Sequence, residues 1–353
     1  MASNPQAKRP VSQQPQISAM VEPLFPARFF DAMTAFKRGA ALKGAIELDL
    51  FTILAEGSQT AKSLALRLQA SARGVRILCD YLTVEGFLER QDGKYSTTPE
   101  VARFLNRKSP TYIGSAAFFL SDPILMANFH DLAGCVRKGG SVSGNGSLEP
   151  ENPVWVEFAR SMQPIAALDA ELVARTLRAD VMQECKVLDI AAGHGMYGIT
   201  LARHNPKAEI VAVDWSNVLA VARENAAKAG VSGRHHTIEG SAFDVAFGDG
   251  YDIVLITNFL HHFNVETNES LLQKVYRALK PGGRAVGVEF VPNEDRLSPM
   301  IPAEFSLVML ANTPGGDAYT FSELEHMFRN AGFGSVELRE IPPSPQRVVI
   351  ATK

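Results

Sequence analysis

The chain has 353 residues, 46% of them hydrophobic and 21% charged, and its 35 Lys and Arg against 38 Asp and Glu leave a formal net charge of −3. That length fits about two domains with ample apolar material for each core, and the composition excludes global disorder and collagen-like or low-complexity repeats. Three scattered cysteines, Cys79, Cys135 and Cys185, form no CxxC pair; they exclude a disulfide scaffold and read as reduced core thiols.

No apolar run reaches the ~18 residues a membrane helix needs. The nearest, Gly114 to Phe129, is broken by Ser121, Asp122 and Pro123. Residues 1–20 are rich in Pro, Gln and Ser without an apolar centre, so 1–27 reads as a disordered tail on a cytoplasmic protein. Charge divides unevenly beyond it. Residues 28–110 carry 13 Lys or Arg and 9 Asp or Glu, a balance of +4, whereas residues 111–353 carry 20 and 28, a balance of −8.

Apolar spacing of three and four predicts amphipathic helices over Phe29–Lys43 and Ala45–Leu54. Thr60 caps a short helix, Ser71 caps another through Val75, Leu78 and Leu82, and Gly86 stops it. Two short strands then flank Asp92-Gly93, the signature of a hairpin. Helix, turn, helix and hairpin outline a winged helix. Such folds bind DNA or mediate dimerisation; the modest +4 and the lack of a basic recognition helix favour dimerisation and make nucleic acid an unlikely partner.

Residues 110–150 hold a helical stretch and then Gly139, Gly140, Gly144 and Gly146, read as a flexible connection, and Val154–Leu177 reads as a linker helix. Beyond Cys185 short β-rich runs alternate with helices: Val187–Ala191, Glu209–Val213, His236–Glu239, Ile253–Ile256 and Ala285–Phe290. That alternation predicts a doubly wound α/β domain with a mostly parallel sheet. Ser335–Glu340 and Arg347–Thr352 flank a Pro-rich loop as a closing hairpin. The divisions are therefore 1–27 tail, 28–110 winged helix, 111–180 helical linker and 181–353 ligand-binding domain.

The chemistry concentrates where the apolar strand Val187–Ala191 runs into Gly193-His194-Gly195 and a helix. The glycines allow a tight turn and close ligand approach, and the helix offers its first N–H groups. Alone, Gly193-x-Gly195-x-x-Gly198 also fits the dinucleotide fingerprint. Asp189, inside the strand, would attract a sulfonium or ammonium and repel a pyrophosphate. Asp214, at the end of the next strand, can accept both ribose hydroxyls. Trp215 fits either packing on a ribose or adenine or a place in the core, and Gly240-Ser241-Ala242-Phe243 follows the third strand, where open α/β sheets bind ligands. His235-His236 has no metal-ligand partner set, and no metal site is expected.

Asp189-x-x-x-Gly193-x-Gly195, Asp214, Leu279-Lys280-Pro281-Gly282-Gly283 and the closing hairpin resemble the class I S-adenosylmethionine-dependent methyltransferases. With the winged helix in front, residues from about 28 to 353 are similar to the O-methyltransferase family that includes the caffeate and acetylserotonin enzymes. The resemblance implies a Rossmann-like seven-stranded sheet ending in an antiparallel hairpin, and a homodimer formed through the front domain. It implies S-adenosylmethionine as cofactor, S-adenosylhomocysteine as its product, and a small-molecule methyl acceptor.

The resemblance also assigns residues. The family's Asn-x-Leu-His-Asp-Trp segment corresponds to Asn258-Phe259-Leu260-His261-His262-Phe263, which makes His261 the general base, Asn258 a cofactor neighbour and His262 a pocket residue. Glu289 takes the place of the acid that orients the base. The second acid, two residues past a Gly-Gly pair, falls on Ala318, so either Asp317 substitutes or the site has one acid fewer. The family's acidic adenine contact becomes Ser241 beside Ala242 and Phe243, with Asp244 as a possible replacement. Phe158 and Met162 match a Phe-x-x-x-Met pattern beside the donor, and Phe305 and Met309 lie on a helix facing the acceptor. A hydroxyl on an aromatic or polyketide-like molecule is the leading acceptor, with carbon or nitrogen methylation, a winged-helix regulator and an NAD-linked oxidoreductase as alternatives.

Overall fold

Two helix caps organise the front of the chain: Ser63 N donates to Thr60 Oγ1 (3.2 Å) and Gly74 N to Ser71 Oγ (3.4 Å), opening helices Ala61–Arg67 and Ala72–Val84. The structure, a computed structural model, describes residues 26–144, 151–181 and 183–353. Most of the tail expected over 1–27, and Gly146, lie outside the described residues. The first predicted helix is two, Ala27–Thr34 and Phe36–Glu47, and Leu50–Leu54 follows Asp49, which turns the chain at φ 58°.

Strand β1 (Gln59–Thr60) pairs with β3 (Lys94–Thr97), which pairs with β2 (Leu88–Gln91) across Asp92 and Gly93, both at positive φ. This is the wing. Leu50, Phe51, Leu64, Cys79, Leu82 and Tyr95 fill the module's own core.

The linker helix is broken in two, Pro153–Ser161 and Gln163–Thr176, because Pro164 cannot donate to the preceding turn and starts a new helix instead. The described start of the glycine connection, Gly139 to Ser141, is packed rather than loose. Gly139 ends helix Leu132–Lys138 in a left-handed cap, the Gly140 Cα abuts the Pro314 carbonyl, and Ser141 N donates to Thr313 O (2.8 Å). Nearby, Asn128 Nδ2 donates to Asn312 Oδ1 (2.9 Å) and Ser143 Oγ donates to Asn128 Oδ1 (2.8 Å).

The second sheet has seven strands: β4 (Cys185–Ile190), β5 (Ala208–Asp214), β6 (His235–Glu239), β7 (Tyr251–Thr257), β8 (Leu279–Glu289), β9 (Ser335–Glu340) and β10 (Arg347–Thr352). Their order is β6-β5-β4-β7-β8-β10-β9, with β10 antiparallel to both neighbours and the other pairs parallel. The Pro281-Gly282-Gly283 turn is absorbed at the start of β8 as an irregularity: Leu279 faces Tyr251, and the next paired residue, Arg284, faces Ile253.

Alternate residues of the central strands feed two apolar layers. Val187, Ile253, Val286 and Ile350 pack under helices 163–176 and 196–204, while Leu188, Val254, Ala285 and Val349 pack under helices 265–278 and 321–330. Strands buried on both faces explain why these runs read as continuously apolar. From β4 the chain winds outward through β5 to β6 and then returns to β7 on the other side of β4. The strand order therefore reverses between β4 and β7, which opens a crevice at their carboxyl ends. Among the described residues no helix is long and apolar enough to cross a membrane.

Candidate active site

The turn leaving β4 is built around two carboxylates. Asp189 is buried; its Oδ2 accepts from Gly198 N (3.1 Å) and its Oδ1 has no partner. A Cβ on Gly198 would stand 2.8 Å from that Oδ2 and 2.7 Å from Ile210 Cγ2, so only glycine lets the helix approach the strand so closely. Asp214, at the end of β5, accepts from Gly193 N through Oδ2 (2.8 Å) and from Trp215 N through Oδ1 (2.7 Å). It thus fastens the glycine turn in addition to facing the crevice. Gly193 and Gly195 have φ of 57° and 72°, which glycine adopts without cost. Burial pushes Asp189 up to about 7 and Asp214 up to about 6. Asp189, buried, and Asp214, half-buried, have no cationic side-chain partner among the described residues; such a pair suits a sulfonium and ammonium ligand and repels a pyrophosphate.

On the far side of the crevice, Ser241 Oγ accepts from Phe243 N (3.1 Å), and Lys274 Nζ donates to the carbonyls of Ala242 (2.8 Å) and Phe243 (3.0 Å). Phe243 meets Phe263 edge-on at 4.9 Å. Asp244 is exposed and lies in the field of Lys274. Trp215 packs beside Val218 and Val221 with Trp155 and Val156 of helix 153–161.

The loop after β7 carries the base candidate. Asn258 has φ 53° and donates its N–H to Val288 O (2.8 Å). The next two amides, Phe259 N and Leu260 N, both donate to Glu289 Oε1 (3.0 and 2.8 Å). Glu289 Oε2 then lies 2.5 Å from His261 Nδ1, with both side chains almost fully buried. The carboxylate is clamped by backbone on one oxygen and holds the imidazole on the other.

Rings surround that imidazole. Phe305 meets it edge-on at 4.9 Å and packs on Phe290 at 4.3 Å; His262 lies at 4.3 Å and meets Trp155 edge-on at 5.3 Å. Trp155 contacts Phe158 at 5.8 Å, and Phe158 contacts Phe119 at 5.0 Å and stacks on His194 at 5.8 Å. Phe158 thereby sits against Gly193 of the cofactor turn. Met309 is buried in helix Met300–Asn312, and Met162 occupies the helix break. Burial, with His261 beside it, holds His262 well below the usual histidine range, and burial takes His194 down to about 4, so both are neutral rings.

Asp317 is placed elsewhere. Its Oδ2 accepts from Arg296 NH1 (3.1 Å), whose NH2 pairs with Glu323 (2.5 Å), and Ala318 is fully buried. Neither residue hydrogen-bonds His261.

Sequence reading missed Trp155, His194 and Gln346. His194 stands between two glycines of the motif and could have been noticed there. Trp155 shares a helix face with Phe158 but carries no signal of its own, and Gln346 is invisible because its partner, Asn258, is 88 residues away.

The O-methyltransferase domain matches residues 141–334 and the O-methyltransferase dimerisation domain matches residues 30–107. The chain belongs to the O-methyltransferase family. As such it is an S-adenosylmethionine-dependent enzyme acting on small molecules. This methyltransferase is 29% identical to 3-hydroxy-5-methyl-1-naphthoate 3-O-methyltransferase of Streptomyces sahachiroi over 93% of the chain and 95% of the relative. A crystal structure of a candidate O-methyltransferase from Nostoc punctiforme is 48% identical, covers 94% of this chain and 100% of that one, and superposes with a TM-score of 0.90. PigF with SAH, whose Serratia form is an S-adenosylmethionine-dependent methyltransferase, is 27% identical, with coverage of 94% and 100% and a TM-score of 0.80.

Proposed function

We propose that this methyltransferase modifies a hydroxyl of an aromatic or polyketide-like metabolite, with His261 as general base and Glu289 as the acid that orients it. The supporting observation is the buried His261–Glu289 pair set among aromatic rings beside the glycine turn. Because Glu289 is acceptor-only, it fixes the proton of the neutral imidazole on Nδ1 and leaves the Nε2 lone pair to take the acceptor's proton. Once that proton arrives, the same carboxylate stabilises the imidazolium in a low-dielectric setting. The neutral His262 does not oppose that charge.

S-adenosylmethionine, when bound, supplies a methyl group activated by a sulfonium. Asp189 and Asp214, with the N–H groups after Gly195, hold it; Trp215, Ser241, Ala242, Phe243 and Asn258 line the same crevice. Phe158, Met162, His262, Phe305 and Met309 shape the acceptor side. These apolar and aromatic side chains favour a flat aromatic acceptor, held so that little freedom remains to be lost on reaction. The naphthoate acceptor named for the Streptomyces relative has a comparable bicyclic aromatic body. Asp317 is spent on Arg296, so the base operates with one acid. Residues 28–110 serve assembly of a homodimer rather than DNA binding; Phe29, Phe30, Met33 and Phe36 stand exposed on the first helices for a second copy to cover.

Incubation of the purified protein with methyl-labelled S-adenosylmethionine and a panel of hydroxynaphthoates and other phenols tests this reading. Label on a phenolic oxygen supports it. Label on a ring carbon or nitrogen moves the assignment to the corresponding C- or N-methyltransferase.

A further inference from the structure

Gln346 ends the turn before β10 and is buried, although it lies in a segment that reads as a Pro-rich surface loop. Its Nε2 donates to Asn258 Oδ1, and its own Oε1 has no partner. Burying an amide with one end unsatisfied is unfavourable, so the hairpin gains nothing from this side chain as such. Nor does the hairpin need it, since β10 is held along its full length by six register pairs to β8 and six to β9.

The residue at the other end of the contact is the one on which the base loop turns. Asn258 is held at φ 53°, a conformation few side-chain-bearing residues adopt, and the two N–H groups that clamp Glu289 follow it immediately. On β10 itself, the neighbour of Gln346 is Arg347, the register partner of Glu289. The hairpin therefore reaches Glu289 twice: at its backbone by strand pairing, and towards its carboxylate through Gln346, Asn258 and the two amides that follow. Where a second acid would otherwise support the base, this chain has the buried Ala318.

We propose that Gln346 is a positioning residue for His261. It pins the Asn258 amide, which keeps the Phe259 and Leu260 N–H groups on Glu289 and so keeps Glu289 on the imidazole. The proposal rests on His261 being the base, and its test separates the two ideas.

A hydrogen bond as short as that between His261 Nδ1 and Glu289 is expected to deshield its proton and give a low-field resonance, to be followed in the protein saturated with S-adenosylhomocysteine. Its loss in His261→Ala assigns it. Gln346→Met, which keeps the shape and removes the donor, is expected to shift or broaden that resonance beyond detection, with affinity for S-adenosylhomocysteine held within about threefold. Gln346→Glu is expected to restore it, since a carboxyl in either protonation state can hydrogen-bond a rotated Asn258 amide. A Gln346→Met protein that keeps the wild-type resonance overturns the proposal; so does a Gln346→Glu protein that loses it as completely. Should Gln346→Met fail to fold, Gln346→Ala is read in its place against the same outcomes. If the wild-type protein lacks the resonance, it is the His261–Glu289 reading that falls.

Discussion

His261 and Gly316 are in backbone contact: the carbonyl oxygen of the first occupies the space in which the second would carry a Cβ. The Gly315-Gly316 turn is thereby a floor under the base loop, and Gly316 N is itself tied to Thr313 Oγ1 (2.9 Å). Gly316→Ala must push that loop, at a cost of about 1–3 kcal/mol in stability, and should lower turnover more than it lowers cofactor affinity. Denaturant unfolding beside single-turnover methyl transfer reads both effects; a variant of wild-type stability and rate would show that the turn yields freely.

The tautomer argument makes Glu289→Gln the most informative change at the base. The glutamine oxygen still accepts from Phe259 N and Leu260 N, but its NH2 now faces Nδ1 and forces the imidazole proton onto Nε2, where a base needs a lone pair. Turnover should fall roughly 10²–10⁴-fold, as it should for His261→Ala, with S-adenosylhomocysteine binding intact by calorimetry.

Cofactor binding should depend on pH through Asp189 and Asp214. Their folded values, raised to about 7 and about 6, lie above the ordinary 3.8, so their contribution to the stability of the unliganded protein is largest at low pH and is lost as pH rises from about 4 to 7. A cationic ligand favours the ionised carboxylates, so its affinity runs the opposite way. Binding of S-adenosylmethionine is expected to weaken roughly tenfold per pH unit between about pH 7 and 6, where Asp189 protonates, more steeply below about 6, where Asp214 joins it, and to release protons, all measurable by titration calorimetry in two buffers. A flat profile from pH 5.5 to 8 would separate these acids from the cation.

Asp317→Asn tests whether one acid suffices. The carboxylate is part exposed and shared with Arg296, an arrangement worth about 0–1 kcal/mol. The expected result is a rate within about threefold of wild type. A loss as deep as that of His261→Ala would make Asp317 the second acid.

Much of the fold is legible because its signals are local. Thr60 and Ser71 announce their helices, Asp92-Gly93 its hairpin, and the apolar runs their buried strands. The glycine turn after β4 is legible for the same reason, since Asp189, Gly193 and Gly195 lie within seven residues of one another. What periodicity could not show is the break at Met162, where the apolar spacing continues across Pro164 although the hydrogen bonds cannot. Nor could it show pairings between distant segments: Gln346 with Asn258, Trp155 with His262, or the packing that turns Gly139–Ser141 from a loose connection into a seat for Thr313 and Pro314. Such contacts follow from topology, and single-segment patterns carry no trace of them.

The hydrogen bond between Asn128 and Asn312 spans 184 residues and joins the front half of the chain to the end of the helix that presents Phe305 and Met309. That helix is consequently anchored from outside the α/β domain to which its residues belong. A chimera that exchanged only that domain with a relative's would part the two amides and leave the end of that helix without its seat in the front half of the chain.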